Sequence, residues 1–225
     1  MCGRFTLTSS VDDLMALFDL DESFEITPRY NIAPRQPVLA VRAKPDGAGR
    51  EIVPMQWWLI PSWSKKVEYK YPTFNAVSET VHEKPSFRTP FKKGRRCIIP
   101  ADGFYEWQAQ GKAKQPYFIH KSDRSVIAMA GLWEYYEGDD GAFESCTILT
   151  CEANDLIRPI HARGRMPVIL DPANFEAWLD PASDPESLKD LFQTYPNEAM
   201  AAYPVDRAVG RVGHDQPTNI EPLAG

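Results

Sequence analysis

Cysteine is scarce in this 225-residue chain: Cys2, Cys97, Cys146 and Cys151 are the whole complement, with no Cys-x-x-Cys spacing. So few thiols exclude a disulfide framework, and the missing spacing excludes a zinc ribbon. Cys97 in Arg-Cys-Ile-Ile and Cys146 in Cys-Thr-Ile-Leu lie in strand-like runs, where a buried, reduced, structural thiol is the expectation. Long apolar runs are lacking too. None approaches the ~20 residues that span a bilayer, and no secretory leader is visible, so a cytoplasmic protein with no membrane partner is expected. None of the four histidines keeps company that reads as a metal site, so no metal or cofactor is expected either. Cationic charge is in deficit, with 25 Lys and Arg against 31 Asp and Glu for a net charge of -6. That balance weighs against binding a polyanion through bulk charge. Only local clusters remain to do so: the run 91–96, with four basic residues in six, and the group Arg158, Arg163 and Arg165.

What is present argues for a folded domain, since 43% of residues are hydrophobic and 12% aromatic. Strand signals dominate the first two-thirds, in β-branched or aromatic runs at 5–8, 38–42, 95–99, 117–120, 126–130, 147–150 and 166–170. Short strands at close spacing, with 20 prolines and 13 glycines to turn corners, predict mostly antiparallel sheets curling into a barrel or sandwich. Helices are fewer. Ser10 is placed to cap a helix over 11–18, with Asp13 at the capping-box position and apolar residues at 11, 14, 15 and 18 on one face. Further helices are expected at 174–179 and 186–193, with a short candidate at 154–160. With no repeat and no linker, the reading is one α+β domain over residues 1–225.

Four residues stand out chemically. Cys2 follows Met1, and a small second residue is the usual condition for removing an initiator methionine. The cysteine would then carry an α-amine of pKa about 8 beside a thiol of about 8.5. Such a pair can capture an aldehyde, the amine forming an imine and the sulfur closing a five-membered thiazolidine. Glu106 sits in Phe104-Tyr105-Glu106-Trp107, either as a surface carboxylate on a strand or as one desolvated among aromatics, its pKa raised toward acid–base use. His161 precedes Arg163 and Arg165, cations that disfavour the imidazolium and leave a neutral base. Asn75 reads as a helix cap or as an amide that orients a ligand or a thiol.

At this point the residues resemble the SRAP domain family (SOS-response-associated peptidase), also known as the abasic site processing proteins. The resemblance runs nearly the whole length: Met1-Cys-Gly-Arg-Phe5, Tyr30-Asn-Ile-Ala-Pro34, Leu59-Ile-Pro-Ser-Trp63, Phe74-Asn-Ala76 with Glu79, the run 96–107, Ala130-Gly-Leu-Trp-Glu134, Thr147-Ile-Leu-Thr150, Arg165-Met-Pro-Val-Ile-Leu170 and Ile220-Glu-Pro222. It implies a compact α+β domain on β-barrel-like sheets. It further implies that Cys2, freed of Met1 by self-processing, captures the ring-opened aldehyde of an abasic site in single-stranded DNA as a thiazolidine crosslink that shields the lesion. On the resemblance Asn75 positions the sugar and the cysteine, Glu106 assists proton transfer, and His161 is its acid–base partner. Arg4, Asn31 and Thr150 lie in segments that line the family's DNA channel, and Arg163, Arg165 and the basic run at 91–96 would hold phosphates. A monomer, nucleoid-associated when on DNA, is expected.

The chain also departs from the family pattern. Val77 stands where the family has an arginine, and Gln56-Trp57-Trp58-Leu59 replaces Arg-Trp-Gly-Leu, so two cations are gone. The segment from His161 to Met166 is longer, which moves His161 out of the site unless the added residues bulge outward at Gly164. His214-Asp-Gln216 replaces Asn-Asp-Gly. Two other functions fit the same residues: an N-terminal-nucleophile peptidase acting on other proteins, and a non-catalytic module binding single-stranded DNA.

Overall fold

Near the amino end the local sequence rules decide the structure directly. In the computed structural model, which describes residues 2–67, 70–139 and 141–223, strand β1 (Phe5–Leu7) leads into helix α1 (Val11–Phe18). Ser10 caps that helix by accepting the Asp13 amide, and Leu14 and Phe18 bury its apolar face. Then come β2 (Arg29–Ile32), β3 (Pro37–Ala43), β4 (Arg50–Trp57) and β5 (Asn75–Val77). A short helix α2 (Arg88–Lys92) precedes β6 (Arg96–Ala101), β7 (Gly103–Gln110), β8 (Ala113–Lys121), β9 (Ile127–Gly138) and β10 (Gly141–Glu152). After β11 (Arg165–Pro167), α3 (Phe175–Leu179) and β12 (Met200–Pro204) come short 3-10 turns at Arg207–Gly210 and Pro217–Ile220.

Two sheets carry the architecture, as the α+β barrel-like reading predicts. One has five strands in the order β12-β8-β7-β1-β2. In the other, β10, β4, β3, β6 and β9 follow one another, and β9 pairs back onto β10 from Gly141↔Gly138 to Ile148↔Gly131, closing a small barrel. Most pairings are antiparallel, but β10 runs parallel to both β4 and β5. Both faces of this sheet are buried: Met55, Trp57, Ile99 and Met129 share one by register, Val41 and Ile98 the other. Gly103 lets β8 lie close against β7 within the five-stranded sheet, because a Cβ there would lie 2.4 Å from the Phe118 ring and 2.7 Å from the Ile119 carbonyl. All four cysteines are free and buried. Among the described residues no helix is long and apolar enough to cross a membrane.

Three local expectations are corrected. Residues 154–160 form a chain of turns rather than a helix, because Pro159 lacks an N–H and biases Arg158 away from helical backbone. The segment at 186–193 is a 3-10 helix over Ser187–Leu191. The basic run at 91–96 turns inward: Arg96 is buried, donating to the carbonyls of Trp178, Phe91 and Asp180, and Arg95 pairs with buried Glu134. Its arginines are committed to the fold and do not converge with the cluster around His161.

Candidate active site

The first residues reach the site because β1 is laid along β7. Phe5 faces Phe104, and the Tyr105 amide donates to the Arg4 carbonyl at 2.9 Å. Continuing that register brings Cys2 alongside Glu106 and Trp107. Asp102 fixes the far end of the same segment, accepting from the Thr8 amide, from Thr8 Oγ1 at 2.7 Å and from Ser9 Oγ at 2.5 Å. Cys2 is fully buried, and Asn75 Nδ2 donates to its carbonyl at 2.6 Å. Asn75 therefore does not cap a helix. It opens β5, in register with Ile148, while the 3-10 turn Ser78–Thr80 follows Val77 with no side-chain cap.

Glu106 projects from β7 into the same space and is 4% exposed. Burial pushes its carboxyl up to about 8, so it holds a proton at neutral pH. Its Oε1 is among the buried polar atoms with no hydrogen-bond partner in the described structure. His161 Nε2 lies 3.5 Å from Glu106 Oε2. The other ring nitrogen, Nδ1, accepts from the Arg163 amide at 3.0 Å and the Arg165 amide at 3.2 Å. With Nδ1 acting as acceptor, the neutral ring carries its proton on Nε2, facing Glu106. Burial, reinforced by the charges of Arg163 and Arg165, holds His161 down at about 4. Burial, followed by the Glu106 charge, holds the Cys2 thiol well above its usual range, so it rests as a thiol and not a thiolate.

Gly164 is what keeps His161 in place. It adopts φ +57°, where even an added Cβ would meet nothing nearer than Arg158 Cγ at 3.8 Å, and the longer segment returns both arginine amides to the imidazole. Beyond the pair opens a cleft of about 220 Å³ lined by Glu106, Trp107, Lys114, His161, Ala162 and Arg163. Lys114 escaped notice in the sequence, where Trp107 figures only as an aromatic neighbour of Glu106. The β7–β8 pairing, with Ala109 opposite Lys114, is what sets the lysine on the wall of the cleft that Glu106 also lines.

The remaining candidates are placed as follows. Arg165 forms a bidentate pair with Glu79, at 2.6 and 2.7 Å, and also donates to the Thr150 carbonyl. Thr150 is buried, opposite Val77, with Oγ1 donating to the Ala76 carbonyl at 3.3 Å. Asn31 is buried and bonded to Arg4. Val77 is 36% exposed, two residues from Asn75. Arg35 lies over the Trp58 ring, 4.2 Å from its centroid.

These protonation states predict a stability profile. Folded Glu106 keeps its proton up to about 8 whereas an unfolded glutamate releases it near 4.3; that stabilisation is complete below the unfolded value and is lost as pH rises through about 8. His161 runs the other way, its contribution complete above the unfolded value of about 6.5 and lost as pH falls through about 4. Between about 6.5 and 8 only Glu106 acts, and the expected fall is about 2 kcal/mol, from ~1.4 kcal/mol per unit. Thermal midpoints should decline across that window in the parent and stay level in Glu106→Gln. A level parent profile would remove the raised carboxyl.

Comparison with known proteins bears on this geometry. The family model described as SOS response associated peptidase (SRAP) matches residues 1–212. Abasic site processing protein YoqW of Bacillus subtilis (strain 168) is 41% identical to this chain, over 98% of this chain and 99% of its own length. Abasic site processing protein HMCES of Gallus gallus is 36% identical, over 87% of this chain and 66% of its own. A crystal structure of a protein from Bacteroides thetaiotaomicron superposes with a TM-score of 0.89 at 26% identity, covering 99% of this chain and 100% of that one.

Proposed function

The chain belongs to the SOS response associated peptidase (SRAP) family, and on that premise we propose that it processes abasic sites in DNA by covalent capture at Cys2. The observation that carries the reading is the buried convergence of four side chains: Cys2, Asn75 bonded to its carbonyl at 2.6 Å, and Glu106 3.5 Å from His161. Residues 1–225 act as one domain and as a monomer. Hydrolysis of the Met1–Cys2 peptide bond by the same residues frees the α-amine. An abasic deoxyribose in single-stranded DNA then presents its ring-opened C1′ aldehyde.

The steps balance without a cofactor. The Cys2 amine adds to the aldehyde carbon to give a carbinolamine, and Glu106, protonated at neutral pH, donates to the departing hydroxyl, releasing water and leaving an iminium. Sγ adds to the same carbon and closes the thiazolidine, its proton passing back to the Glu106 carboxylate. His161 holds Nε2–H toward that carboxylate while it is charged and so steadies the ionised intermediate. Asn75 fixes the cysteine backbone, which keeps amine and sulfur on one side of the aldehyde. Arg163 and Lys114, lining the cleft beside the pair, suit a flanking phosphate.

The deciding experiment incubates purified protein with a single-stranded oligonucleotide carrying one abasic site. Intact-mass analysis should give the sum of Met1-free protein and DNA minus one water, stable to heat and denaturant. Unmodified protein under saturating DNA would end the reading.

Val77 makes a further prediction. Its exposed position beside Asn75 offers no charge where the family pattern has an arginine, so Val77→Arg should add one phosphate contact. Each contact contributes about 0.7 to the logarithmic salt slope on single strands. The variant should bind an abasic single strand more tightly at low salt, with a slope steeper by that amount. Titrations across salt with affinity and slope unchanged would take Val77 out of the DNA path.

A further inference from the structure

Arg4 lies two residues beyond Cys2, and three of the five N–H donors of its guanidinium are spent inside the protein. Nη1 donates to Asn31 Oδ1 at 2.8 Å and to the Val209 carbonyl at 2.7 Å; Nη2 donates to the Gly210 carbonyl at 3.1 Å. Asn31, on β2 and fully buried, directs Nδ2 at three carbonyls of the same segment: Val209 at 3.1 Å, Arg211 at 3.0 Å and His214 at 2.8 Å. Beside it the Tyr30 amide donates to Asp215 Oδ1 at 2.5 Å, and Asn219 Nδ2 donates to the His214 carbonyl at 2.6 Å. Residues 205–223 thus form a strap held against β2. Its part beyond residue 212 lies outside the stretch that the family model matches.

The strand β1 begins only at Phe5, so the described residues 2–4 lie outside its ladder, with Cys2 buried in the core. Besides the Asn75 bond to Cys2 and the Tyr105 bond to Arg4, the Arg4 side chain is their anchor. We infer that Arg4 and Asn31 are positioning residues: they lock the amino end to the carboxy-terminal strap and so hold Cys2 against Asn75 and Glu106, and neither contacts DNA phosphate. This rests on Cys2 as the reacting residue. The physical case is that guanidinium donors committed to three internal acceptors, one on a fully buried amide, are unavailable to a ligand without dismantling the strap.

The test uses full-length Asn31→Ala and Arg4→Lys, the second retaining the charge that a phosphate contact needs. Three quantities are measured: adduct formation rate at saturating abasic single strand, Kd for the undamaged oligonucleotide, and the rate of Cys2 alkylation by iodoacetamide, located by peptide mass. The expected result is a tenfold or greater loss of rate, Kd within twofold of the parent, and Cys2 alkylated at least tenfold faster while Cys97, Cys146 and Cys151 stay protected. The double variant should lose less than the sum of the two single losses. If Asn31→Ala exposes every cysteine it has unfolded, and Arg4→Lys alone decides. A Kd weakened tenfold with rate and alkylation unchanged would overturn the inference and make these residues phosphate ligands; no change in any quantity would overturn it also. A parent that forms no adduct would count against the role of Cys2, while alkylation would still report whether the anchor holds it.

Discussion

Cys2→Ala should lose the heat-stable DNA adduct completely, yet still yield a conjugate when borohydride is added during the incubation. The distinction follows from the two nucleophiles. Alanine from which Met1 has been removed keeps the α-amine, which condenses with the aldehyde to a hydrolysable imine; only sulfur converts that imine into a ring. Cys2→Ser should behave like alanine, because a hydroxyl adds far more weakly to an iminium carbon than sulfur does. The buried thiol is no obstacle, since its proton can pass to the adjacent Glu106 carboxylate in the step that closes the ring. Denaturing gels with and without borohydride separate the cases, and intact mass confirms whether Met1 is absent from each variant. A heat-stable adduct in Cys2→Ala would place the covalent bond on another residue.

How far the sequence could be read depends on whether the interaction is local. The capped helix at 11–18 follows from Ser10 and Asp13, three positions apart, and the strand runs from β-branched residues bounded by turns. The α+β class follows from both. Non-local facts were hidden. The inward turn of Arg95 and Arg96 depends on Glu134 and on the carbonyls of Trp178 and Asp180, more than 30 positions away in the chain. Glu106 could be read either way until pairing of β7 with β1 and β8 enclosed it. Asn75 reads as a cap because it ends a loop ahead of a helix-like stretch, whereas its partner is the Cys2 carbonyl, 73 positions distant. Gly164, by contrast, told the truth locally: a residue tolerant of positive φ within the lengthened segment is what returns His161 to Glu106.

That geometry sets the second large effect. Glu106→Gln keeps shape but cannot exchange a proton, and adduct formation at saturating DNA should slow by about 10²-fold or more, the scale of a lost general acid. His161→Ala should slow the same measurement by a smaller factor, since His161 acts on Glu106 through the 3.5 Å contact and does not reach the reacting carbon itself. Because both serve one proton transfer, the double variant should be little slower than Glu106→Gln. Undamaged-strand affinity should stay near that of the parent, as neither carboxyl nor imidazole bears charge at neutral pH. The pH dependence adds an independent arm. Capture needs a free amine and a protonated Glu106, so the parent rate should rise as the α-amine deprotonates near 8 and turn over as Glu106 loses its proton at about 8. Glu106→Gln should retain the rising limb and lose the turnover. A Glu106→Gln protein with the parent's rate and the parent's descending limb would remove the carboxyl from the reaction, and a His161→Ala protein as fast as the parent would leave the imidazole a structural neighbour.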